Sequence, residues 1–203
     1  MMLTSAIFKP GKTMRGLLKM KHPARRAILA VGGVGVLYLI TSAILAFAGA
    51  VPTAPLFFKL DVDNYYFWQM IFVLPMILAA WLVSAGVMRV LGRREKGRTD
   101  FGGTAALAGV AVGLPLFLAW IPSAVEAAFM VLGMGQSEWV GILSRPGVWQ
   151  TTYLAFYAGA AGLAIRNFIL AARLLRKKSG LGAVMAGLAA AAVAIGAYVA
   201  FIR

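Results

Sequence analysis

Residues 65–88 read YYFWQMIFVLPMILAAWLVSAGVM, 24 positions without a charge, and residues 89–98 follow as RVLGRREKGR. An apolar run of about 18 residues or more is long enough to cross a bilayer's hydrocarbon core as a helix. A barrel strand would alternate apolar and polar positions, whereas this run is apolar on every face. Backbone groups in lipid must be paired within the protein, so a helix is the remaining solution. The basic cluster behind the run marks the side on which it stops.

The same pattern recurs in both directions. Residues 27–50, 101–125, 148–165 and 181–202 carry no charge, and the fourth run stays apolar past Arg166 and Asn167 to Leu175. The expected fold is an all-α integral membrane protein, a bundle of five transmembrane helices spanning about 27–50, 65–88, 101–122, 148–171 and 181–202. Residues 1–26 form a basic amphipathic cytoplasmic segment, and 27–203 form the transmembrane domain. Composition agrees: of 203 residues 62% are hydrophobic and 13% charged, with mean hydropathy +0.85. Soluble domains carry about 45–50% apolar and about 25% charged residues, so a soluble globule is excluded. The run at 27–50 and its 26-residue basic leader are both too long for a cleaved signal peptide, despite the small residues around Ala46-Phe47-Ala48.

Charge sets the orientation. Seventeen of the twenty Lys and Arg residues fall in the N-terminal tail, the 89–98 hinge or the 166–178 segment. Lys59, Arg145 and Arg203 lie on the other side, with Asp61, Asp63, Glu126 and Glu138. The positive-inside rule places the N-terminus in the cytoplasm and, across five spans, the C-terminus outside. Trp68, Trp120, Trp139, Trp149, Tyr65 and Tyr66 then fall near the outer boundary, as an aromatic belt at headgroup level. In a prokaryote the membrane would be the inner or plasma membrane.

A net charge of +14 gathered on one face calls for an anionic partner, and the cytoplasmic leaflet is the nearest. Between Pro10 and Pro23, Met14, Leu17, Leu18 and Met20 interleave with Lys12, Arg15, Lys19 and Lys21, a short helix suited to the interface. The expected lipid or partner contacts are Lys12, Arg15, Lys19, Arg93, Arg94, Arg166, Arg173 and Arg176. Arg166 lies about 10 Å deeper than Arg173 and reaches headgroups by snorkelling. No soluble domain is present to read nucleic acid.

Small residues let membrane helices approach closely. Gly182, Ala186, Ala190 and Ala194 line one ridge of the last span, with Ala183, Gly187 and Ala191 beside it. In the fourth span Ala155 pairs with Gly159, and Ala158 with Gly162. These stripes are expected to meet as a hairpin, with a homo-oligomer or another membrane protein as the alternative occupant.

Chemistry is sparse. Cysteine is absent and histidine occurs once, at His22, so thiolate, disulfide and most metal chemistries lack their ligands. Gly33-Val-Gly35 follows no strand and lacks the third glycine of a dinucleotide fingerprint. No hydrolase triad, phosphate loop or zinc motif is present, and the expectation is a protein without enzymatic activity or cofactor. Asp61, Asp63 and Asn64 read as the cap of the second span. Ser123 and Glu126 after Pro122 read as a capping box, opening a short interfacial or re-entrant helix over Ala124–Gly133. Pro75 and Pro115 remove mid-span hydrogen bonds. Because interrupted helices can frame transport sites, Pro75, Pro115 and Glu126 are the candidates for a small transporter or channel.

The order of parts resembles the Yip1-domain family of membrane proteins. The resemblance rests on Ile7-Phe8-Lys9-Pro10-Gly11-Lys12-Thr13-Met14, on Leu74–Leu82 with the basic hinge after it, and on Phe101-Gly102-Gly103-Thr104. Pro115, Trp149 and the Arg173–Gly182 hinge ahead of an Ala-rich span complete it. It implies a five-helix domain with a cytoplasmic N-terminus. Eukaryotic members act in vesicle traffic and interact with prenylated Rab-type GTPases, whereas prokaryotic members largely lack an assigned activity. Val110-Ala111 stands where the family has Gly-Tyr, and the Asp-Leu-Tyr-Gly-Pro motif is missing. No GTPase-binding residues therefore carry over.

Overall fold

The structure, a computed structural model, describes residues 9–52, 63–92, 100–176 and 180–202. They form seven helices: α1 (Pro10–Leu18), α2 (Pro23–Phe47), α3 (Tyr65–Gly92), α4 (Phe101–Val131), α5 (Gln136–Ser144), α6 (Val148–Arg176) and α7 (Leu181–Phe201). Helices α2, α3, α4, α6 and α7 are long and apolar enough to cross a membrane. The chain is thus a multi-pass, all-helical membrane protein.

Pro10 and Pro23 sit in the first turns of α1 and α2, where a missing N–H costs nothing. Asp100 caps α4, its Oδ1 accepting from the Gly103 amide at 2.8 Å. Gly49 and Gly133, at φ of 66° and 91°, close α2 and α4 in the left-handed region. The amides of Gly49 and Ala50 return to the carbonyls of Ala46 and Leu45, and those of Gly133 and Met134 to Met130 and Phe129. This is the Schellman closure, which satisfies carbonyls at a helix end.

Helix α4 corrects the expected break at Pro122. It runs through Pro115 and Pro122 to Val131, so Ala124–Gly133 is its continuation and Ser123 starts nothing. A proline inside a helix removes one donor, whereas ending the helix strands four carbonyls and starting another strands four amides. In an apolar setting the first cost is smaller. The short helix between the third and fourth spans is α5, at Gln136–Ser144.

Two-thirds of α4's most apolar window is buried, against 22–39% for the other spans. The spans close a ring that includes α4, in which α2 packs on α4 and α3, α3 on α7, α7 on α6, and α6 on α4, while α3 also touches α4 across it. Close approaches set the spacing. A Cβ on Gly109 would meet the Ala27 Cβ at 2.5 Å, and one on Gly187 would meet the Ile169 backbone at 2.6 Å. The last span's stripe is buried at Ala183, Ala186, Gly187, Ala190 and Ala191. Its partner is not the stripe expected on α6, because Ala155, Ala158, Gly159 and Gly162 are exposed. Ala172 and the Ile169 backbone make the contact.

Candidate functional site: a basic end and a tyrosine-lined end

One end of the bundle gathers α1, the starts of α2, α4 and α7, and the ends of α3 and α6. Helix α1 does not lie free. Met14 is fully buried and Leu17 nearly so, both within the main core, and α1 packs on α4 and α6. This docking turns Lys12, Arg15 and Lys19 outward, and Arg25, Arg26 and Arg173 are exposed at the same end. Arg166 is exposed further along α6, and its Nε and Nη2 donate to Asn167 Oδ1 at 3.3 Å. Asn167 itself is fully buried. The Arg89 guanidinium lies 5.8 Å from the Phe101 ring centroid, within cation–π range. Arg93, Arg94, Asp61 and the Arg176 side chain lie outside the described residues. The structure therefore brings Lys12, Arg15, Lys19 and Arg173 to one end.

The other end holds what the sequence reading missed. A cleft with about 520 Å³ of empty space, its mouth included, lies among all five spans. Helix α2 contributes Tyr38, Thr41, Ser42 and Leu45; α3 contributes Tyr65, Tyr66 and Gln69; α4 contributes Ser123 and Glu126. Helix α6 adds Tyr153 and Tyr157, α7 adds Tyr198, and Pro52 and Ile202 complete the wall. The chain has six tyrosines, and every one lines this cleft. Glu126 is 5% exposed. At 1.5 Å per residue it stands about 38 Å along α4 from Phe101.

Hydrogen bonds tie the cleft walls together. Tyr38 Oη lies 3.3 Å from both the Leu116 carbonyl and the Tyr198 hydroxyl, and Tyr153 Oη donates to the Pro122 carbonyl. Trp120 Nε1 donates to Thr41 Oγ1 at 2.9 Å. Ser42 Oγ donates to Gln69 Oε1 at 2.8 Å, and Gln69 Nε2 donates to the Ile202 carbonyl. The last of these satisfies a carbonyl at the end of α7 that the helix leaves open. Rings continue the contact: Tyr38–Tyr198, Tyr198–Tyr157, Tyr157–Tyr153 and Tyr153–Trp139 have centroids 6.2, 6.4, 6.3 and 5.6 Å apart.

The aromatic belt is thus only partly at the surface. Trp68 and Trp149 are 47% and 42% exposed, but Trp139 is fully buried against Phe129, Trp149 and Tyr153. Tyr65 and Tyr66 are buried too. Pro75 lies exposed on the bundle's perimeter, whereas Pro115 is buried in α4. Of the three transport candidates only Glu126 lines the cleft. The available signal was depth: each tyrosine falls within about ten residues of the same end of its span.

No protein-family model matches the chain, and searches of curated proteins and of solved structures give no match.

Proposed function

We propose that this protein is a non-enzymatic, Yip1-like organiser of anionic lipid, with its basic end on the cytoplasmic leaflet. The observation that carries this reading is the docking of α1. Met14 and Leu17 fasten the helix to α4 and α6, so Lys12, Arg15 and Lys19 project from a fixed platform. A preorganised charged surface loses less entropy on binding than a flexible tail. Each basic side chain near an anionic surface contributes about 1 kcal/mol. Exchanging three of them for Gln should weaken retention by on the order of 100-fold. The test is native mass spectrometry of the full chain released from mixed phosphatidylglycerol and phosphatidylcholine bilayers. The intact protein should retain phosphatidylglycerol selectively, and the Lys12→Gln/Arg15→Gln/Lys19→Gln variant should lose that selectivity. Equal retention by both proteins would refute the reading.

A second reading, a small transporter, is supported by the position of Pro115 and Pro122 inside the central helix next to a polar cleft. It predicts solute flux in liposomes that Glu126→Gln or Pro115→Ala alters. No flux across a broad panel of ions and metabolites would exclude it.

A further inference from the structure

We propose that Arg89, at the corner where α3 ends and α4 begins, is a binding site for a phosphate group. With a lipid as its source, the site rests on the reading that this end lies at the anionic leaflet, but it does not use α1. Arg89 stands in the last turn of α3 and is half-buried. An arginine so placed can donate to the carbonyls that a helix leaves open at its end. Arg89 Nη1 is instead enclosed without a hydrogen-bond partner, which leaves the desolvation of a charged donor uncompensated. The guanidinium rests on an apolar ring, its Cζ 5.8 Å from the Phe101 centroid. The acid nearest in sequence to that ring is engaged elsewhere: Asp100 Oδ1 accepts from the Gly103 amide at 2.8 Å as the cap of α4. Glu95, the other acid of this corner, lies outside the described residues.

The chemistry of the group selects the ligand. A guanidinium is a planar fork whose parallel N–H bonds fit two oxygens of one phosphate. A ring against its face fixes the plane and leaves the in-plane donors for the ligand. Val90, Leu91 and Phe101 are exposed at the same corner. That apolar collar sets the fork where acyl chains give way to headgroups, the depth of a lipid phosphate. In phosphatidylcholine the phosphate is accompanied by its own ammonium, whereas in phosphatidylglycerol it is not, so the site favours the anionic lipid. Inorganic phosphate in the cytoplasm carries the same group. Lys12, Arg15 and Lys19 attract a headgroup by charge, whereas Arg89 recognises it by geometry.

Two measurements on the full chain distinguish the sources. Native mass spectrometry after release from mixed phosphatidylglycerol and phosphatidylcholine bilayers reads lipid retention. Calorimetric titration of inorganic phosphate into the chain in maltoside micelles reads the free anion. Arg89→Lys keeps the charge and loses the fork. It should lower phosphatidylglycerol retention at least about tenfold, in the parent and equally in the Lys12→Gln/Arg15→Gln/Lys19→Gln background. Phe101→Leu, at an exposed position, should lower it about threefold. Thermal unfolding checks that both variants remain folded. Lipid loss without a phosphate heat identifies the headgroup as ligand, and a phosphate heat that Arg89→Lys abolishes identifies the free anion. Equal lipid retention and equal phosphate heats in the parent and Arg89→Lys would overturn the proposal. So would full retention by Arg89→Lys with loss only in Arg89→Gln, because charge alone would then suffice. Binding that emerges only in Glu95→Gln would overturn it too, because Glu95 would then be the partner of Arg89. If only the triple variant loses lipid, this proposal fails and the α1 platform stands. If only Arg89→Lys loses it, the platform fails and this proposal stands.

Discussion

The two ends of this bundle are held by different physics. At the basic end helices meet through small residues at close range: Gly109 against Ala27, Gly187 against the Ile169 backbone, and Ala172 against Ala183 and Ala186. At the tyrosine end they meet through long side chains that leave space between them, and hydrogen bonds span the gaps: Trp120 to Thr41, Tyr153 to Pro122, Gln69 to Ile202. Lipid is as apolar as a leucine side chain, so neither end gains from hydrophobic burial between spans. Close packing stabilises one end through dispersion. Polar bridging stabilises the other and leaves a cleft. A single bundle thereby combines a rigid platform with a cavity.

The contrast predicts a graded response to substitution. The largest effects belong to the tight end. Gly187→Ala and Gly109→Ala place a methyl where backbone or a Cβ already stands, and overpacking costs about 1–3 kcal/mol. Steric-trap or denaturant unfolding in bicelles should register both, while Gly162→Ala, with nothing within 4 Å, should unfold like the parent. Gln69→Leu comes next. It removes the bridge joining α2, α3 and the end of α7, and membrane hydrogen bonds average about 0.6 kcal/mol each. A loss of about 1–2 kcal/mol is expected in the same assay, with added mobility of residues 198–202 in hydrogen exchange. Thr41→Val, close to it in shape, removes the acceptor of the Trp120 Nε1 bond, so about 0.6 kcal/mol should be lost. The smallest effect is on the charged platform: Lys12→Gln/Arg15→Gln/Lys19→Gln should leave unfolding unchanged, because these side chains are exposed, and alter only lipid retention. If Gln69→Leu proved costlier than Gly187→Ala, the division between tight and bridged ends would fail.

What was legible in the sequence follows from what periodicity and charge encode. Five uncharged runs sufficed for five spans, since each run's length alone meets the bilayer requirement. The face of each helix was harder. Helices apolar on all sides give no moment to orient them, so the small-residue stripe on α6 was assigned to the interior although Ala158 and Gly162 face outward. Pro122 was overread, because a proline inside a helix removes one donor, whereas ending the helix there strands four carbonyls and starting another strands four amides. Glu126 was recognised as unusual but given a capping role that an unbroken helix removes. The cleft is built from residues on five separate spans. Only their common depth connects Tyr38 with Tyr198, 160 positions apart, and a pattern read along one helix at a time does not register depth.

The central claim is that the two ends face opposite leaflets, with the platform in the cytoplasm. The chain has no cysteine, so a single introduced thiol reports its own position. Lys21→Cys marks the basic end and Ser137→Cys the tyrosine end, and both side chains are exposed. In intact cells a membrane-impermeant maleimide should label Ser137→Cys and leave Lys21→Cys unlabelled until the membrane is permeabilised. Labelling of Lys21→Cys in intact cells, with Ser137→Cys protected, would contradict the account.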